Sequence, residues 1–138
     1  MPMTRRQTLA LGLGGAVVTL LPLPAAASLP QAVLDYTDGA VPEAGDITLT
    51  APEIAENGNA VPVEVSAPDA VEIVLFAPDN PDARVCTFQF GPAAGEARAA
   101  TRIRMAGSQT IHAVARLPDG RLVHAGAQVM VTVGGCVV

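Results

Sequence analysis

The fold is decided by residues 109–133, QTIHAVARLPDGRLVHAGAQVMVTV. Ile111, Ala113 and Ala115 alternate with Thr110, His112 and Val114, and at the far end Val129, Val131 and Val133 alternate with Met130 and Thr132. A period of two puts one set of side chains on a buried face and the other outside, which is the pattern of a strand in a half-covered sheet. Between these runs lies Leu117-Pro118-Asp119-Gly120-Arg121-Leu122. Asp-Gly readily supplies the positive φ angles of a tight turn, so the stretch reads as a β-hairpin.

Working back toward the N-terminus, the same alternation recurs in Ile47 and Leu49, in Val61, Val63 and Val65, in Val71, Ile73 and Leu75, in Phe88 and Phe90, and in Ile103 and Met105. Turn signals separate these runs: Glu56-Asn57-Gly58-Asn59, Pro68-Asp69, Pro78-Asp79-Asn80-Pro81, Gly91-Pro92 and Gly107-Ser108. About seven short strands at regular spacing, with no helical pattern between them, predict an all-β antiparallel sandwich rather than a parallel α/β sheet. With no Trp, and with Tyr36, Phe76, Phe88 and Phe90 as the aromatic residues, the core has to be built from Val, Ile, Leu and Ala. Ahead of the strands, Pro30 to Tyr36 carries Ala32, Val33 and Tyr36 at helical spacing and Gly39 closes the run, which predicts one short helix.

Residues 1–27 have the character of an export signal. Arg5-Arg6 forms a twin-arginine head, Leu9 to Leu23 is apolar but broken by Gly12, Gly14, Gly15 and Pro22, and Ala25-Ala26-Ala27 supplies a cleavage site. The expected organisation is therefore a cleaved leader over 1–27, a short helix and linker over 28–45, a β-sandwich over 46–133 and a flexible C-terminal arm over 134–138, in the periplasm.

Without the leader, six arginines and no lysine face thirteen carboxylates, a net charge of −7. That balance excludes a nucleic-acid binder, which works by neutralising phosphates. The charges are also segregated: residues 28–83 hold eleven carboxylates and no base, while residues 84–138 hold all six arginines beside Glu96 and Asp119. A solvated acidic face, a docking surface, and arginines of late strands facing carboxylates of early ones are all consistent with this pattern.

Cys86 lies inside a strand-like run, whereas Cys136 follows Gly134-Gly135 and precedes only Val137-Val138. A terminus is a poor place for a staple, so the expectation is a buried Cys86 and a free, exposed Cys136 rather than a disulfide. Two glycines ahead of a thiol release the backbone that carries it. From Val133 the arm reaches roughly 15 Å when extended. No His, Lys or Arg lies near Cys136 in sequence, and a thiol of ordinary pKa about 8.5 is only a few per cent thiolate at neutral pH. That suits a passive carrier activated inside other proteins' sites. There is no Ser/His/Asp motif, phosphate loop or C-x-x-C, so no independent catalytic centre is expected. A blue-copper site would draw on His112, His124, Met105, Met130 and Cys136, yet it needs a second histidine soon after the cysteine; no metal or other cofactor is expected.

Several segments resemble the SoxY family, the Y subunit of the SoxYZ sulfur-carrier complex of bacterial thiosulfate oxidation. They are the twin-arginine leader, Ala55 to Val63, Thr87 to Pro92, Thr101-Arg102-Ile103-Arg104, Ser108-Gln109 and above all Gly134-Gly135-Cys136. The resemblance implies an immunoglobulin-like sandwich paired with a SoxZ-like β-sandwich subunit as a heterodimer. It also implies a non-enzymatic carrier, with Cys136 holding sulfur intermediates covalently for haem-containing and hydrolytic Sox enzymes, and no membrane attachment once the leader is removed. The family tail is Gly-Gly-Cys-Gly-Gly, and here Val137-Val138 replaces the final pair with β-branched residues that are stiff at χ1. The alternative from a different class is a structural or binding sandwich with an inert tail.

Overall fold

The computed structural model describes residues 28–133 and the backbone of 136–137; the expected leader over 1–27, together with Gly134, Gly135 and Val138 of the expected arm, lies outside the described residues. Helix α1 (Gln31–Tyr36) begins after Pro30, whose fixed φ suits a helix start, and its end is closed by the Gly39 amide donating to Leu34 O at 2.8 Å with Gly39 at φ +81°. Nine strands follow among the described residues: β1 (Thr48–Thr50), β2 (Ile54–Ala55), β3 (Val61–Ser66), β4 (Glu72–Phe76), β5 (Arg84–Gln89), β6 (Arg98–Ile103), β7 (Gln109–Arg116), β8 (Leu122–Val133) and β9 (Cys136–Val137).

They form two sheets, a small one of order β1-β3-β6 and a larger one of order β2-β8-β7-β4-β5, in which β9 also pairs with β8. The expected β-sandwich is thus the observed fold, with all seven anticipated strands present. The additions are β2 and β9, two residues each, too short for a periodic pattern to show. The β2–β8 pairing is parallel, a departure from the otherwise antiparallel sandwich. Strand β8 also starts earlier than Val129, because Leu122 to Val129, the low-contrast stretch His124 to Gln128 included, is held by eight consecutive pairs with β7.

Between the sheets sits one core, with Val61, Val63 and Val65 of β3 facing Ile73 and Leu75 of β4, Ile111, Ala113 and Ala115 of β7 and Val129 and Val131 of β8. The other face of the larger sheet is partly covered by α1, whose Val33 packs on Val74, Phe76 and Val114. The hairpin forms where expected, but of Asp119-Gly120 only Gly120 takes a positive φ, +86°; Asp119 instead accepts the Arg121 amide at Oδ1 at 3.0 Å. Among the described residues no helix is long and apolar enough to cross a membrane.

Candidate functional site

Where β7 begins and β8 runs on past it, three connections converge on the last residues of β8. Ser108 Oγ accepts the Val131 amide at 2.9 Å and donates to Val131 O at 3.4 Å, tying the β6–β7 connection to β8. Gly58, between β2 and β3, accepts the Met105 amide at 2.7 Å. A Cβ on Gly58 would lie 2.9 Å from Val131 Cγ1 and 3.0 Å from Met105 O, so a glycine is required by close approach. The β4–β5 loop joins through Asn80, which donates from Nδ2 to Arg104 O at 2.7 Å and accepts the Ala106 amide at Oδ1 at 2.8 Å.

Gln109 completes this frame. It is 7% exposed, donates from Nε2 to Asn80 Oδ1 at 3.1 Å and accepts the Asp79 amide at 2.9 Å, so its buried amide is satisfied at both ends. Three residues behind the sequence resemblance, Gly58, Ser108 and Gln109, therefore lie against the strand that leads to Cys136. Asn80 and Asp79 were legible only as a turn; their hydrogen-bonding role depends on a contact with Gln109 that spans 29 residues.

The backbone of Cys136 and Val137 pairs antiparallel with Val133 and Thr132 respectively. The proposed arm residues Gly134, Gly135 and Val138 lie outside the described residues.

The other candidate atoms are not brought together. Cys86 is half-buried rather than fully buried: it lies on the peripheral strand β5 opposite Leu75, packed against the main core from one side. Burial pushes its thiol pKa up, away from the reactive thiolate. His112 and His124 lie on the outer face of the larger sheet, Nδ1 to Nε2 at 2.9 Å with rings stacked at a 5.2 Å centroid separation. Met105 is buried in the core, and Met130 is six residues beyond His124 along β8, roughly 20 Å away at about 3.3 Å per residue. Among the described residues no cluster of three or more His, Cys, Asp or Glu is placed to hold a metal ion.

A second cluster fixes α1 and was not anticipated. The Tyr36 hydroxyl donates to Glu72 Oε1, and the guanidinium groups of Arg84 and Arg116 sit 5.1 and 5.4 Å from the Tyr36 ring centroid. Burial and the bond to Glu72 push the Tyr36 phenol up, while the same hydroxyl is the main cause holding the Glu72 carboxyl below its usual range.

Residues 34–136 match the family described as sulfur oxidation protein SoxY. A search of curated proteins finds no match. Among solved structures, the sulfur carrier protein SoxY from Chlorobium limicola f thiosulfatophilum is 34% identical, covers 75% of this chain and 94% of its own, and superposes with a TM-score of 0.62. A superoxide reductase (neelaredoxin) from Ignicoccus hospitalis is 17% identical, with 64% and 81% covered and a TM-score of 0.53, a likeness of fold alone.

Proposed function

The chain belongs to the SoxY family of sulfur oxidation proteins, and from that premise we propose that it is a periplasmic sulfur carrier whose Cys136 holds the cargo. The observation that carries this reading is that the family match ends at Cys136, the thiol that follows Gly134-Gly135 beyond β8. The frame of Gly58, Ser108 and Gln109 supports it by holding the root of the tail rigid where β7 no longer does. A fixed root with a short terminal segment lets a thiol be presented to several sites without disturbing the core.

In the proposed cycle the Cys136 thiol loses its proton and joins the outer sulfur of thiosulfate, giving a cysteine S-thiosulfonate; the two electrons released pass to a haem-containing partner. Water then attacks the terminal sulfonate sulfur, sulfate leaves, and a persulfide remains on Cys136 for further oxidation. The half-buried Cys86, with its raised pKa, takes no part. A SoxZ-like sandwich subunit completes the carrier as a heterodimer.

Trypsin separates the two cysteines, Cys86 falling within residues 85–98 and Cys136 within 122–138. Mass spectrometry of the protein isolated from thiosulfate-oxidising cells should find sulfur and thiosulfonate adducts on the 122–138 peptide. An unmodified terminal peptide in those cells would refute the carrier reading and favour a sandwich with an inert tail.

A further inference from the structure

Three asparagines occur in the chain, and each is followed by a different residue: Asn57 by Gly58, Asn59 by Ala60 and Asn80 by Pro81. An asparagine side chain is lost as ammonia when the amide nitrogen of the next residue attacks its Cγ, an intramolecular step favoured by proximity and one source of the thermal lability of asparagine. Proline has no N–H to give up, and the Asn80 amide is bonded at both ends, Nδ2 to Arg104 O and Oδ1 to the Ala106 amide. Ahead of Ala60 a Cβ crowds the attacking nitrogen, whereas glycine has none.

The turn between β2 and β3 lays out the reacting groups. Asn57 is exposed, so its departing amide opens to water. Its Oδ1 accepts the Asn59 amide at 3.0 Å, which holds the side chain along its own turn and draws charge from Cγ. Among the described residues nothing accepts the Gly58 N–H, so the nucleophile is unengaged. From this juxtaposition we propose that Asn57 is a site of spontaneous deamidation in the folded protein. The Gly58 amide loses its proton to hydroxide, its nitrogen bonds to Asn57 Cγ, and the Cγ–Nδ2 bond breaks as Nδ2 takes a proton from water and leaves as ammonia. Water then opens the succinimide. Cleavage of the new N–Cγ bond leaves aspartate; cleavage of the original peptide bond leaves isoaspartate, whose backbone runs through Cγ and is longer by one carbon.

The two products affect the fold differently. Aspartate keeps the shape of asparagine, and its Oδ1 still accepts the Asn59 amide. Isoaspartate displaces Gly58, which is held on two sides: its O accepts the Met105 amide at 2.7 Å, and a Cβ on it would lie 2.9 Å from Val131 Cγ1. The isoaspartate form therefore loosens the end of β8, whether or not Cys136 is a sulfur carrier.

The chain without its leader, incubated at body temperature and mildly alkaline pH, should release ammonia while Asn57 converts to aspartate and isoaspartate, followed by mass spectrometry with electron-based fragmentation. Asn59 and Asn80 should stay intact, and Asn57→Gln, whose side chain needs a larger ring, should abolish the release. The isoaspartate form, isolated by chromatography, should melt a few degrees below the parent, and Asn57→Asp should melt with it. An intact Asn57, conversion at Asn59 in its place, or conversion only in urea would overturn the proposal, the last by showing that the folded turn holds the Gly58 nitrogen away from Cγ. An isoaspartate form that melts with the parent would overturn the loosening of β8.

Discussion

Two imidazoles meet across neighbouring strands because Gly126, directly opposite His112, has no side chain to keep His124 away. One ring donates and the other accepts in the 2.9 Å contact. Burial first, and the neighbouring His124 second, lower the His112 pKa to about 4, and burial lowers that of His124. In the unfolded chain both titrate near 6.5. Above that pH both states are neutral and stability does not respond to these groups. As pH falls from about 6.5 toward 4 the unfolded chain takes up protons that the folded one refuses, so stability declines through that window. Urea unfolding midpoints at pH 7 and pH 5 should show this drop, and His112→Gln should reduce it. The same drop in both proteins would show that the pair is not its source. The alternation with Ile111 was enough to place His112 on the outer face; its contact with His124 depends on strand register, which no local pattern reveals.

Helix α1 shows how far an element can be read before its partner is known. Pro30, the spacing of Val33 and Tyr36, and Gly39 were enough to locate it. That it lies on Val74, Phe76 and Val114, with Tyr36 anchored to Glu72, follows only from the folded sheet. Removing the hydroxyl in Tyr36→Phe leaves the apolar ring and the two arginines above it, and should cost about 1 kcal/mol for the lost bond. The thermal midpoint should fall by a few degrees, and the α1 amides should exchange faster than those of β7. An unchanged midpoint would mean that apolar packing alone holds the helix. Strands β2 and β9 escaped the sequence reading for a different reason. A two-residue strand has no period, and each exists only because β8 extends beyond β7 and offers it an edge.

Across the whole molecule, the charge segregation along the chain is partly resolved by the fold. Glu64 of β3 meets Arg98 of β6 at 2.5 Å, and Glu72 of β4 lies 4.0 Å from Arg116 of β7, each an early carboxylate beside a late arginine. Being partly open to water, such pairs add little stability, roughly 0 to 1 kcal/mol each. Most of the carboxylates of residues 28–83 remain outside these pairs, consistent with a surface that meets a partner. Light scattering of the chain mixed with a SoxZ-type subunit should give one species of the summed mass that persists on dilution; two separate monomers would argue against the heterodimer. By itself the sequence determined the sandwich, its main hairpin, the short helix and the cysteine at the end of the family match, because period-two burial, turn chemistry and a terminal motif are local properties of a chain. Only the tertiary structure decided that Gly58, Asn80, Ser108 and Gln109 frame the root of the tail, that the two histidines pair, and that Cys136 lies opposite Val133. Those contacts depend on register and on where one strand outlasts its neighbour, and both are settled by the packing of the two sheets as a whole.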